Sequence, residues 1–236
     1  MTKGHVRAVA FDFGGTLAWP GPAPDAATVT QILRRLPCAV IPDGFAATFE
    51  QVTRRVRAAD RRRDAQTSFA EQLRVAALES GAVLDDPAAA TKEVFTAIVD
   101  AEIDPRAAEA LRELHEDGLV CVLACDTQRP ESVRRNTLRE AGIGDCFDGL
   151  VLSSTLGVRK PHPRFYAAVV GAAGCPAGEI LFVGDTPAKD ALGPYSHGMR
   201  AALISPAGRP PGLDPRIDVI AHLAQLPAYL ESLRGR

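Results

Sequence analysis

The chain has 236 residues, 46% of them hydrophobic, and 27 Lys and Arg against 29 Asp and Glu leave a net charge of −2. That length can bury one good apolar core and a smaller second one, while the balanced charge argues against a polyanion binder or a membrane-surface protein. No apolar run approaches the roughly 18 residues of a membrane-spanning helix, and MTKGHVRAVAFDF has a lysine but no leader peptide's apolar core or cleavage site.

The first element, Val6 to Phe13, is short, apolar and ends at a glycine pair, which reads as a strand buried on both faces of a parallel sheet. A linker with Pro20, Pro22 and Pro24 follows. From about Asp25 to Asp100 the pattern is helical throughout. Phe45, Phe49, Val52, Val56 and Ala59 form one apolar stripe, Phe69, Leu73, Ala76 and Ala77 a second, and Val94, Ile98 and Ala101 a third. This block is expected to be a four-helix cap over residues 23–102, inserted into a core of residues 1–22 and 103–236, with Pro105 marking the return.

The period then changes. A helix over Arg106 to Asp117 leads to a strand over Leu119 to Cys125, a helix over Glu131 to Ala141 and a strand over Gly149 to Ser153. A helix over Pro163 to Ala173, a strand over Glu179 to Gly184, a helix over Ala188 to His197 and a strand over Ala201 to Ile204 follow, with IDVIAH and a helix over Leu226 to Leu233 at the end. Apolar strands alternating with helices of about 10–15 residues predict an α/β, Rossmann-like parallel sheet with helices on both faces. Five cysteines, Cys38, Cys121, Cys125, Cys146 and Cys175, are odd in number and contain no CxxC pair. They read as free thiols of a cytoplasmic protein, and the wealth of Ala, Arg and Pro suits a GC-rich bacterial genome.

Ligands of such sheets sit beyond the carboxyl ends of the strands. One strand ends at Asp12, one at Cys125 and Asp126, one at Asp185 with Asp190 five residues on, and Lys160 lies in the loop GVRKPHPRF. Converging carboxylates repel unless a cation joins them, and hard oxygen ligands suit Mg²⁺. A lysine there can screen an incoming phosphate. Taken singly, Asp12 reads as a turn cap and Lys160 as a surface lysine, and their register favours the functional reading; Asp190 reads equally as a metal ligand or as a helix residue holding Lys160 or a loop in place.

AFDFGGTL, KPHPRFY and FVGDTPAKD resemble, in order and separation, the first, third and fourth motifs of the haloacid dehalogenase superfamily. The resemblance covers nearly the whole chain, and the helical insert sits where that family keeps its cap. It implies that Asp12 attacks phosphorus to form an aspartyl-phosphate. It implies further that Asp12, the Gly14 carbonyl, Asp185 and Asp190 hold Mg²⁺, and that Lys160 binds the phosphoryl oxygens of a small phosphorylated metabolite. Two positions depart from the pattern. Gly14 stands where family phosphatases carry a second Asp for proton transfer, worth typically about 10²–10⁴-fold. Cys125 stands where a hydroxyl binds the phosphoryl oxygen, and a thiol is the weaker donor; Thr127 or backbone N–H groups are the substitutes. Asp126 reads as a turn cap, a substrate contact or a stand-in acid.

The leading function is therefore a Mg²⁺-dependent phosphatase, slowed by Gly14. The second reading is a binding protein that kept the phosphate pocket and lost turnover; dehalogenase, phosphonatase and phosphomutase rank lower. His5, His115, His197 and His222 read as structural or exposed and His162 as a turn residue. Arg54, Arg55, Arg57, Arg61, Arg62 and Arg63 read as a solvated helix face, with a sharper reading in which one or two reach a second anionic group of the substrate. No nucleic-acid partner is expected, since the chain is net acidic.

Overall fold

The structure, a computed structural model, describes residues 5–63 and 65–234; residues 1–4, with the Lys3 of the leader-peptide reading, Asp64, Gly235 and Arg236 lie outside the described residues. Six parallel strands form one sheet: β1 (Ala8–Phe11), β4 (Val120–Cys125), β5 (Gly149–Leu152), β6 (Ile180–Gly184), β7 (Arg200–Ile204) and β8 (Asp218–Ile220). Their order is β5-β4-β1-β6-β7-β8, so β1 is central, in register Val9↔Cys121 on one side and Val9↔Leu181 on the other. Burial on both faces follows from strand alternation. Val9 and Phe11 enter an apolar cluster with Leu111, Leu114 and Leu123, while Ala8 and Ala10 face Phe165, Tyr166 and Phe182.

Helices α5 (Pro105–Glu116) and α10 (Leu226–Arg234) cover the first face and α8 (Pro163–Ala173) the second. Their starts are locally written. Asp104 accepts from the N–H groups of Arg106 and Ala107, with Pro105 where no N–H partner is needed. His162 caps α8 by accepting from the Arg164 N–H at 3.1 Å, which is the turn role expected of it.

Between β1 and α5 the chain forms α1 (Ala26–Leu33), α2 (Phe45–Arg61), α3 (Phe69–Ser80) and α4 (Pro87–Thr96). They pack around their own apolar cluster, with Phe49 and Phe69 ring centroids 5.5 Å apart and Phe69 and Phe95 4.8 Å apart. The first two expected stripes lie on α2 and α3. The third overruns its helix: α4 stops at Thr96, and Ala101 belongs to a strand. That strand, β3 (Ala101–Ile103), pairs antiparallel with β2 (Ala18–Pro20) at the entrance and exit of the helical segment. The expected boundary between residues 102 and 103 falls inside β3. Three residues are too few to show alternation, and Pro20 argues against a strand except at a sheet edge.

The helix expected over Ala188 to His197 is instead a π-turn, Pro187–Leu192, followed by α9 (Gly193–Ser196). The Tyr166 hydroxyl donates to the Lys189 carbonyl at 2.6 Å, the acceptor a regular helix would offer to Gly193, and the Gly193 N–H turns to Ala188. The short remaining helix, α7 (Ser153–Leu156), begins at the Ser153 assigned from sequence to β5, and α6 (Glu131–Glu140) follows β4. No helix among the described residues is long and apolar enough to cross a membrane.

Candidate functional site

The central strands aim their carboxyl ends at one cleft of about 510 Å³. Asp12 is the first residue past β1, and its N–H is fixed to the Val183 carbonyl at 2.8 Å. The chain then curls so that the Leu17 and Ala18 N–H groups both donate to the Phe13 carbonyl at 2.9 Å. Gly15 sits at φ 75°, and a Cβ there would lie 2.2 Å from Asp185 Oδ2. Glycine is thus required for the backbone turn and for the approach of Asp185. Gly184 serves Asp190 in the same way, since a Cβ would fall 2.4 Å from the Asp190 Cβ.

Lys160 reaches beneath this floor from the loop between α7 and α8. Its Nζ donates to Asp12 Oδ1 at 2.6 Å, Asp190 Oδ1 at 2.7 Å and the Ala124 carbonyl at 3.0 Å, so all three protons are used. Asp190 also accepts from the Thr186 N–H. Asp12, Asp185 and Asp190 offer ligand oxygens that all lie within 4.8 Å of one another, close enough to hold a metal ion. Burial raises the Asp12 carboxyl to about 6, against the pull of the Lys160 ammonium and with the help of Asp190. Burial raises Asp190 likewise, opposed by Lys160. Burial works against the Lys160 charge, but Asp12 and Asp190 together outweigh it and hold its pKa above the ordinary value.

The strand-end residues of β4 divide. Cys125 lines the cleft with its thiol donating to the Asp126 carbonyl at 3.4 Å, and burial pushes it up to about 12. Asp126 accepts from the Lys160 N–H and, at 3.0 Å, from Lys189 Nζ, so its carboxylate ties two loops together. The Thr127 hydroxyl accepts from the Arg129 N–H, which leaves it at the cleft wall but engaged with its own turn. Gly14 also lines the cleft; a Cβ on it would sit 3.5 Å from the Pro20 ring, an ordinary contact.

One group in the cleft wall has no counterpart in the sequence reading. Asp100, Arg129 and Arg134 are all buried, with Arg129 Nε 2.6 Å from Asp100 Oδ1 and Arg134 Nη1 3.0 Å from Oδ2. Thr137 donates to the same carboxylate, and the Arg134 guanidinium lies 3.4 Å over the Phe13 ring. The mixed ESVRRNTLRE pattern gives Arg134 the look of a surface residue, and only the polar run before α6 hinted at Arg129. His197 and His222 are structural: His222 pairs with Asp104 at 3.0 Å and His197 with the Gly193 carbonyl at 2.8 Å.

A family model described as haloacid dehalogenase-like hydrolase matches residues 6–198. A phosphoglycolate phosphatase of Pseudomonas fluorescens is 32% identical over 235 residues, 95% of this chain and 80% of that protein. A phosphoserine phosphatase of Thermus thermophilus is 33% identical over 106 residues, but that match spans only 45% of this chain and 42% of the relative's length. Among solved structures, a 2-haloacid dehalogenase of Pseudomonas syringae superposes with a TM-score of 0.67 over 96% of this chain and 99% of its own, at 20% identity, a likeness of fold alone. The motifs, the parallel sheet and the matched span agree, and the chain belongs to the haloacid dehalogenase-like hydrolase family.

Proposed function

We propose that this protein is a Mg²⁺-dependent phosphatase of small phosphorylated metabolites that works through an aspartyl-phosphate on Asp12. The observation that carries the reading is the three-carboxylate, one-lysine cluster at the mouth of the central strands. Lys160 neutralises part of the charge of Asp12, Asp190 and Asp185, and the remainder is negative and open to a cation. The missing Cβ of Gly15 keeps room for the Asp185 carboxylate beside that position. Asp12, Asp185, Asp190 and the Gly14 carbonyl fit a hard dication, which would supply charge neutralisation for an incoming phosphoryl group. The relatives named as phosphatases support the substrate class.

In this reading the helical segment, residues 23–102, is a cap over the core of residues 1–22 and 103–236, entered and left through the β2–β3 ribbon. An Asp12 oxygen forms a bond to phosphorus as the ester P–O bond breaks, and the leaving oxygen takes a proton from solvent. Water then attacks the aspartyl-phosphate, releasing phosphate and regenerating the carboxylate. Lys160 screens Asp12 from the phosphoryl oxygens throughout. Thr127 and the backbone beside Cys125 complete the phosphoryl contacts. The test is a panel of phosphate esters assayed with and without Mg²⁺ beside Asp12→Asn. Hydrolysis that needs both Mg²⁺ and Asp12 supports the mechanism; full Mg²⁺-dependent activity in Asp12→Asn would overturn it.

A second reading, a phosphate-binding protein without turnover, is favoured by the bare Gly14. Thermal stabilisation by phosphate with no ester hydrolysed at any Mg²⁺ concentration would select it.

A further inference from the structure

Arg134 enters the cleft from the first turn of α6. Its guanidinium lies 3.4 Å over the ring of Phe13, the residue after Asp12. Its charge also acts on the Cys125 thiol more strongly than that of Asp12 or Lys160. Arg134 therefore stands between the ends of β1 and β4, the two neighbouring strands that frame the proposed phosphoryl site. We infer that Arg134 contacts the phosphoryl oxygens and supplies the charge-assisted donors that a thiol at position 125 cannot. The inference rests on the phosphatase reading and adds a catalytic residue to it.

The wall has one carboxylate for two guanidiniums. Asp100 Oδ1 lies 2.6 Å from Arg129 Nε, while Oδ2 lies 3.0 Å from Arg134 Nη1 and also accepts from the Thr137 hydroxyl at 2.7 Å. Arg129 is fixed further by the Pro22 and Val99 carbonyls, so it faces the two linkers of the helical segment. Arg134 has no such acceptors. Its Nε and Nη1 are buried without a hydrogen bond among the described residues, because Asp100 meets Nη1 outside hydrogen-bonding geometry. Arg134 is only 4% exposed, and buried donors are rarely left idle. A buried charge that shares its counter-ion is costly as well. An anion arriving in the cleft relieves both conditions.

The other cations of the cleft are committed elsewhere. Lys160 uses all three protons on Asp12, Asp190 and the Ala124 carbonyl, and Lys189 pairs with Asp126 at 3.0 Å. Of the four cations lining the cleft, the Arg134 side chain alone makes no hydrogen bond to protein among the described residues. Stacking on the buried Phe13 ring and the pull of Asp100 orient it before any ligand arrives, which lowers the cost of binding. A planar guanidinium presents paired N–H groups that match phosphoryl oxygens. The charge of a phosphoryl group in transfer is spread over those oxygens, and fixed donors aimed at them are among the strongest contributions to rate.

The experiment is a double-mutant cycle between positions 125 and 134, read on ethyl phosphate with Mg²⁺. Arg134→Met should lower kcat/KM by about 10- to 100-fold, the worth of charge-assisted hydrogen bonds. Cys125→Ser should then restore more in the Arg134→Met background than it adds to the parent, because a hydroxyl and Arg134 serve the same oxygens. A mere brace between α6 and Asp100 would lower stability and leave the two changes additive. Arg135→Ala, on the exposed side of α6, should leave the rate in place. Arg134→Lys keeps a charge for Asp100 and carries the same cycle if Arg134→Met does not fold. Inorganic phosphate titrated calorimetrically into each variant with Mg²⁺ gives a readout without turnover. If the parent hydrolyses no ester, the phosphatase reading falls, while phosphate binding that the Arg134 change weakens and Cys125→Ser recovers would still uphold the contact. Equal gains from Cys125→Ser in both backgrounds, phosphate binding unchanged by loss of Arg134, or no phosphate binding by the parent would overturn it.

Discussion

Two buried ion clusters face the same cleft with opposite imbalances of charge. At the floor, one ammonium, Lys160, serves Asp12 and Asp190. In the wall, one carboxylate, Asp100, serves Arg129 and Arg134. A buried charge is tolerable only when paired, so each cluster is incomplete in a way that names its missing partner: a cation for the floor and an anion for the wall. The floor is built from the ends of the neighbouring strands β1 and β6, the π-turn after β6 and the loop that carries Lys160, and the wall from two segments far apart in the chain, the residue before β3 and the stretch from the loop after β4 into α6.

The largest expected effect comes from adding a carboxylate to the floor. Gly14→Asp should raise turnover of ethyl phosphate by about 10²–10⁴-fold, the usual worth of a general acid–base group. The side chain has room, since its Cβ meets only the Pro20 ring at 3.5 Å and beyond. Steady-state kcat measures it. A rate within twofold of the parent means that proton transfer is already supplied from elsewhere, and the floor is then complete without a second aspartate.

Breaking each cluster at its shared member comes next. Lys160→Met leaves two buried carboxylates without their cation, and Asp100→Asn leaves two buried guanidiniums without their anion. Each should cost about 3–5 kcal/mol in urea unfolding. Mg²⁺ should recover part of the loss in Lys160→Met and none in Asp100→Asn. Equal recovery in both variants would mean that the floor is not where the cation goes.

The two clusters also differ in how far the sequence discloses them. Asp12 and Asp185 close apolar runs beside glycines, Asp190 follows Asp185 by five residues, and Lys160 stands before a proline, so local pattern and chain order suffice. Asp100, Arg129 and Arg134 carry no such mark. Arg134 sits in a polar helix where its neighbours Arg135 and Arg139 are exposed, and its burial comes from Phe13, 121 positions earlier. The ribbon of β2 and β3 was hidden by its length, and the π-turn by a single tertiary hydrogen bond from Tyr166. What periodicity records is the face of an element; what it omits is the meeting of residues far apart in the chain.

Titration sharpens the contrast further. Asp12 is raised from 3.8 to about 6 by burial, so the folded protein holds that proton more tightly than the unfolded chain. Its contribution is full below about pH 4 and is lost as pH rises through about 6. Metal-free protein should therefore lose roughly 1–3 kcal/mol between those values. Mg²⁺ needs the ionised carboxylate, so its stabilisation should grow over the same interval, as thermal unfolding at pH 5 and pH 7.5 with and without Mg²⁺ would register. A Mg²⁺ effect independent of pH would separate metal binding from Asp12.

The smallest effect concerns Cys125, which lies between the two clusters and is acted on by both. After burial, which raises its pKa to about 12, the nearest influences are Arg134 pulling down and Asp12 pushing up. A thiol held that high stays protonated near neutral pH, neither nucleophile nor repelling anion, and at the proposed phosphoryl site it would be only a weak donor. Cys125→Ser keeps the shape and strengthens the donor, so kcat/KM for ethyl phosphate should rise by about three- to tenfold, the net worth of one hydrogen bond. In the folded parent protein, iodoacetamide should modify the exposed Cys38 and spare Cys125, read by peptide mass. A serine variant no faster than the parent would assign the phosphoryl contact to the backbone and Thr127, and would leave Cys125 as packing between the two ion clusters.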